Sequence, residues 1–114
     1  MAECVFCGIA SKKIPSRIAA EQDDLVAFHD TNPQAPTHLL IVPKRHVASL
    51  NDLSTADAEL AGRILLFGVE LARSLNLQKA GYRLVLNTGP DAGQTVHHIH
   101  LHLLGGRALA WPPG

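Results

Sequence analysis

Neither sign of charge is present in excess: ten lysines and arginines balance ten aspartates and glutamates. Without a basic surplus there is no extended surface for a polyanion, so a nucleic-acid partner is expected as a small nucleotide, not a DNA or RNA duplex. Long apolar runs are missing too. No stretch approaches the roughly 18 apolar residues of a membrane span, and residues 1–13 lack the apolar core of a secretory signal. A soluble, cytoplasmic protein with no membrane partner is expected. Cysteine is confined to Cys4 and Cys7. Three positions apart in a chain without an export signal, they favour reduced thiols or half of a metal site over a structural disulfide. Internal repeats, low-complexity tracts and linkers are absent as well. With 46% hydrophobic and 18% charged residues among 114, the composition excludes disorder and suits one domain spanning 1–114.

Val5, Phe6 and Ile9 suit a short N-terminal helix or turn, closed by Ile14-Pro15 because the residue before proline avoids the helical region. Short strands are expected near 18–21 and 25–30, around the polar turn Gln22-Asp23-Asp24. On the second, Val26, Phe28 and Asp30 share one face while Leu25, Ala27 and His29 share the other. Residues 31–36, with two prolines, form an ordered loop. The near-continuous apolar run 37–43 reads as a strand covered on both faces, ending in the basic turn Lys44-Arg45-His46.

Ser54 is the expected N-cap of a helix running to about Asn76, with Leu60, Ile64, Phe67, Leu71 and Leu75 as its core stripe. Ala58, Leu65 and Val69 fall on the opposite side, and charge is confined to a sector holding Glu59, Arg63, Glu70 and Arg73. A second apolar face of this kind calls for a cover, expected to be another copy of the chain in a homodimer. Another strand is expected over 82–87, followed by a glycine-rich loop over 88–95.

That loop leads into His97-His98-Ile99-His100-Leu101-His102-Leu103-Leu104. Successive side chains of a strand alternate in direction, so His98, His100 and His102 share one face and Ile99, Leu101 and Leu103 the other. Three histidines on one face give apolar packing nothing that valine or threonine would not give better. Gly89 and Gly93 let the preceding backbone turn so that N–H groups converge on an anion, with Gln94 and Thr95 adding side-chain donors. A neutral imidazole beside a bound phosphate is a competent nucleophile, and its neighbours can donate protons. The alternative use of three such histidines, as ligands of a catalytic zinc, is disfavoured.

The segment 98–104 matches the His-x-His-x-His-x-x motif of the histidine-triad (HIT) superfamily. Ala27-Phe28-His29-Asp30, Pro33-Gln34-Ala35-Pro36-Thr37-His38, Val42-Pro43-Lys44, Leu104-Gly105-Gly106-Arg107 and Trp111-Pro112-Pro113-Gly114 extend the likeness over nearly the whole chain. It resembles the histidine triad nucleotide-binding (Hint) branch in particular. The resemblance implies an α+β HIT-like fold, with an antiparallel sheet of about five strands, one long helix, a short N-terminal helix and a homodimeric assembly. It further implies hydrolysis of purine nucleoside phosphoramidates and of aminoacyl or lysyl adenylates, releasing AMP or GMP with no cofactor for catalysis. On matching positions, His100 would be the nucleophile that forms a nucleotidyl-histidine intermediate. His102 would contact the phosphate and assist proton transfer, and His38 would orient His100 through a hydrogen bond. Asn87, Gln94 and Thr95 would hold the phosphate and leaving-group side, Asp30 the ribose hydroxyls, and Phe28 would wall the base. Trp111 would reach toward the partner subunit's site.

Three positions depart from the branch pattern. Thr95 stands where serine is usual, Thr31 where an aliphatic residue flanks the ribose or base, and His97 where an aromatic is common. In histidine-triad relatives that bind zinc, the metal takes two cysteines spaced as here, a histidine after the Pro-basic-basic turn, and the first triad histidine. Cys4, Cys7, His46 and His98 fit that set, implying a closed structural zinc site outside the chemistry. The rival to the enzyme is a nucleotide-binding or interaction protein with negligible turnover. The presence of His38, Asn87, Thr95, His98, His100 and His102 together favours the hydrolase.

Overall fold

The computed structural model describes residues 4–114. A short helix, α1 (Val5–Ala10), precedes the strands β1 (Ile18–Glu21), β2 (Leu25–His29) and β3 (Thr37–Pro43). The long helix α2 (Ala58–Ser74) follows, then β4 (Tyr82–Leu86) and β5 (Leu101–Gly105). The strands form one antiparallel sheet in the order β1-β2-β3-β5-β4. β3 is central because its apolar run tolerates burial on both sides, and residues 38–43 are all buried. Among the described residues no helix is long and apolar enough to cross a membrane.

Alternation along the strands separates two cores. Leu25, Ala27, Leu39, Ile41, Leu101 and Leu103 pack on one face with Ile64, Phe67, Leu71 and Ala72 of α2. Val26, Phe28, Leu40 and Val42 pack on the other with Phe6, Ile9 and Ala10 of α1. The close approach of α2 to the sheet requires Gly68, where an added Cβ would stand 3.1 Å from side-chain atoms of both Leu84 and Leu101.

The structure corrects three expectations. Ser54 does not cap α2 directly: its hydroxyl accepts the Ala56 N–H and heads a separate 3-10 turn over Thr55–Asp57, so the helix starts at Ala58. Leu75 is 45% exposed beyond the helix end, and the stripe runs instead through Gly68 and Ala72. β5 begins at Leu101, leaving His98 and His100 ahead of the paired strand. The ladder stops there because β3 turns away at Pro43 and the Ile99 N–H takes the Val47 carbonyl, at 2.7 Å. The alternation nonetheless persists, with Ile99, Leu101 and Leu103 all in the α2-side core.

Leu65 and Leu66 of α2 are exposed, Leu66 by 59%, so the helix has a second apolar face that this chain does not cover. Leu103→Ala should lower the unfolding free energy by about 2–5 kcal/mol. Leu75→Ala should change it by no more than about 0.5 kcal/mol. Denaturant titration of both variants checks the core assignment, and equal losses would contradict it.

Candidate active site

The face of the sheet that carries α1 also carries the histidines. Phe28, Leu40 and His102 lie side by side across β2, β3 and β5, since Leu40 pairs with both of the others. His38 sits two residues before Leu40 on the same face and opposite Leu104, which puts it diagonally next to His102. The two rings hydrogen-bond, His38 Nε2 to His102 Nδ1 at 2.9 Å. The expected contact from His38 to His100 is therefore replaced by one to His102, because His100 lies beyond the start of the strand.

Main-chain groups decide where each ring proton sits. The Gln34 N–H donates to His38 Nδ1 at 3.0 Å, which leaves the His38 proton on Nε2. That N–H donates to His102 Nδ1, with Asp30 Oδ2 also 3.4 Å away. His102 must then carry its own proton on Nε2. His100 is set the opposite way: its Nδ1 lies 2.7 Å from the His98 carbonyl, so Nδ1 is the donor and Nε2 keeps its lone pair. His98 Nε2 lies 2.7 Å from the Pro43 carbonyl and donates to it, leaving the Nδ1 lone pair directed elsewhere.

Burial favours the neutral rings. It pushes His102 down from 6.5 to about 4, helped by His100 and His38 and opposed by Asp30. Burial likewise lowers His38 against the pull of Asp30, and lowers His98 against the effect of its Pro43 contact.

A cavity of about 840 Å³ opens beside these rings, with Phe28, Asp30, Thr95, His100 and His102 in its walls. Phe6, Ile9, Ile14 and Arg17 also line it. Phe6 is an addition that the residue pattern did not single out. Its ring stands edge-on to His100 with centroids 5.0 Å apart and to Phe28 at 5.4 Å. Its only signal was a position between two cysteines on a short helix. Arg17 carried no signal at all.

Asn87 and Trp111 are not among the cavity walls, and Trp111 is 80% exposed. Gln94 is buried and its amide is fully used. It accepts the Gly89 N–H at 3.0 Å and donates to the carbonyls of Ala48 at 2.8 Å and Val96 at 3.2 Å. Gln94 thus shapes the loop in which Gly89 and Gly93 hold φ of +84° and +82°, and it has no amide hydrogen left for a ligand.

Cys4, Cys7, His46 and His98 converge at a second centre. The His98 Nδ1 lone pair lies 3.3 Å from Cys4 Sγ, 3.5 Å from Cys7 Sγ and 3.3 Å from His46 Nδ1. Cys7 Sγ is 3.3 Å from His46 Nδ1. Bonds of roughly 2.0–2.3 Å from a tetrahedral zinc put its ligand atoms about 3.3–3.8 Å apart, so donor set and spacing both fit that ion. The Pro43 carbonyl orients His98 as an outer-shell partner would. Asp30, His38 and His102 also lie together, but the Gln34 N–H keeps a proton on His38 Nε2, which then offers a metal no lone pair.

A family model described as HIT domain matches residues 11–109. The chain belongs to the HIT domain family. A purine nucleoside phosphoramidase of Escherichia coli K12 is 42% identical over 107 residues, 94% of this chain and 90% of that protein. An uncharacterized HIT-like protein of Synechococcus elongatus is 46% identical over 112 residues, 98% and 97% of the two chains. Among solved structures, a HIT family hydrolase from Legionella pneumophila Philadelphia 1 superposes with a TM-score of 0.97. It is 51% identical, and the match covers 98% of this chain and all of that one.

In this HIT domain the depressed His102 makes folding pH-dependent. Between about 4 and 6.5 the unfolded chain binds more protons than the folded one, so stability rises with pH there. The contribution is fully present above 6.5 and is lost as pH falls toward 4. With the ring partly exposed and screened, it should amount to about 1–2 kcal/mol. Denaturant unfolding at successive pH values should give a shallower acid loss for His102→Gln than for the wild type.

Proposed function

We propose that this HIT domain hydrolyses purine nucleoside phosphoramidates, and the chemically related aminoacyl and lysyl adenylates, releasing AMP or GMP through a nucleotidyl-His100 intermediate. One observation carries the reading. Two rings in the walls of the same cavity are set by the backbone in opposite tautomers, His100 with a lone pair on Nε2 and His102 with a proton there. One is a nucleophile and the other a donor to phosphoryl oxygens. The 42% identical purine nucleoside phosphoramidase of E. coli supports the same substrate class.

In the first step His100 Nε2 attacks phosphorus, a P–N bond to His100 forms and the bond to the leaving nitrogen breaks. That nitrogen takes up one proton as it departs. His102 Nε2–H stabilises the charge gathering on the phosphoryl oxygens, and Thr95 offers its hydroxyl on the leaving-group side. Water then attacks the nucleotidyl-His100, breaks the P–N bond and releases the monophosphate with one proton, which balances the proton taken up with a phosphoramidate. From an adenylate the first step breaks P–O and expels a carboxylate without a proton, so one proton is released net. Asp30 accepts hydrogen bonds from the ribose hydroxyls, and Phe28 and Phe6 flank the base.

Cys4, Cys7, His46 and His98 would hold a structural zinc. When bound, it supplies a closed cross-link between the N-terminal helix and the segment leading into β5, and no step of the reaction passes through it. A cytoplasmic setting, where thiols stay reduced, suits such a site. A homodimer is supported by the uncovered Leu65 and Leu66 and by β4, whose residues are all half-buried at the sheet edge.

AMP release from an adenosine phosphoramidate tests the chemistry. The wild type should turn over, and His100→Ala should lose at least about a thousandfold. Brief EDTA treatment should leave turnover largely intact in a preparation that carries about one zinc per chain by metal analysis. A wild type that binds AMP yet releases none would make the chain a nucleotide-binding module. Sedimentation at micromolar concentration should return the mass of a dimer, and the monomer mass would remove the assembly.

A further inference from the structure

The contacts that fix the His102 proton do not end at His38. Gln34, whose N–H sets the His38 ring, lies in the 31–36 loop, outside any strand ladder. The same residue is held on its other side, in the following peptide unit: the Gln34 carbonyl accepts a hydrogen bond from Arg107 Nε at 2.9 Å. The guanidinium is itself braced by Nη1, which donates to the Ala108 carbonyl at 2.8 Å.

Arg107 follows directly on β5 through Gly105 and Gly106. At Gly106 the backbone has φ +93°, and an added Cβ would stand 2.9 Å from Pro36 Cβ. The chain leaving β5 is therefore pressed against the same loop that Arg107 grips. The connections close a circuit. β5 carries His102, and five residues later the chain supplies the guanidinium that steadies Gln34, whose N–H sets His38, the ring partner of His102. Arg107 is exposed and is not among the cavity walls, so it reaches the chemistry only through this circuit.

We propose that Arg107 is a positioning residue: by holding the Gln34 carbonyl it fixes the backbone of the residue whose N–H keeps His38 Nδ1 an acceptor, and thereby keeps the His102 proton on Nε2, at the cavity. Its kinetic consequence rests on the hydrolase reading above; the tautomer itself does not. Without the Arg107 contact the Gln34 backbone is free to shift, its N–H leaves His38 Nδ1, the His38 ring samples both tautomers, and His102 presents a donor to the cavity for only part of the time.

Ring-nitrogen NMR on nitrogen-15 histidine-labelled protein reads this directly. In the wild type His102 should carry its proton on Nε2 and accept at Nδ1. In Arg107→Ala the His38 and His102 signals should move toward tautomer averaging. Turnover of an adenosine phosphoramidate should fall roughly tenfold in kcat, a fraction of what general acid catalysis supplies, with KM within about twofold. Arg107→Lys, which retains a donor for the Gln34 carbonyl, should restore most of both. Gly106→Ala disturbs the same loop without touching the guanidinium and should move the same signals, which covers the case of an unfolded Arg107→Ala. A folded Arg107→Ala with wild-type ring nitrogens overturns the proposal. Displaced ring signals in a protein that never turns over would leave the positioning role standing and remove the hydrolase reading instead.

Discussion

Three ring protons at the two histidine centres are placed by main-chain groups. A free imidazole divides its proton between two nitrogens and presents either to a ligand. Here the Gln34 amide, the His98 carbonyl and the Pro43 carbonyl each take one ring nitrogen, at 3.0, 2.7 and 2.7 Å. Of the three backbone groups, only the Pro43 carbonyl belongs to the sheet; the Gln34 amide and the His98 carbonyl sit in the segments that flank it. His98 is the pivot. Its ring looks toward the cysteines while its own carbonyl orients His100, so one residue joins the metal-type cluster to the cavity.

Burial explains why rings this close coexist. With centroids about 5 Å apart along His38, His102 and His100, two imidazolium ions would repel in a poorly screened space. Removing the rings from water favours the neutral forms, and the lowered His102 and His38 express that cost. Neutrality is also what a nucleophile and its hydrogen-bonding partners need. α1 has only six residues, too few for a stable helix by itself. What holds it is tertiary: Phe6, Ile9 and Ala10 bury against the sheet, and Cys4 and Cys7 converge on His46 and His98.

Much of this was legible in the sequence, for identifiable reasons. β3 was marked by its unbroken apolar run, β2 by a strict alternation whose two faces feed two separate cores, and the cysteine pair by spacing. Errors arose where a contact depends on a neighbouring element. Leu75 obeys the helical period, but the helix stops one residue before it, and the chain leaves with Asn76 at φ +60°. Gln94 has the right chemistry for a phosphate, yet the Gly89 N–H and the Val96 carbonyl beside it and the Ala48 carbonyl from a distant segment consume its amide. His38 was matched to the wrong histidine because its reach depends on strand register, and register is a property of two strands at once. Phe6 lay in plain view, but nothing local says that a six-residue helix will fold against the triad.

Register finally ties stability to chemistry. On β5 the residues facing α2 are Leu101 and Leu103, and those facing the cavity side are His102 and Leu104; a slip of one position would exchange them. Two close approaches lie on the α2 side. An added Cβ at Gly105 would come within 2.8 Å of Leu77, and one at Gly68 within 3.1 Å of Leu101. The helix and Leu77 thus lie close on this face, and the register that fills it seats Leu101 and Leu103 in the core. Packing on the apolar face therefore places His102 against His38 on the opposite face, with no contact between the two sides beyond the thickness of the strand. The helix on the far face of the sheet is in this sense what fixes the position of the His102 ring, and mutations that loosen it should misplace that ring before they unfold the chain.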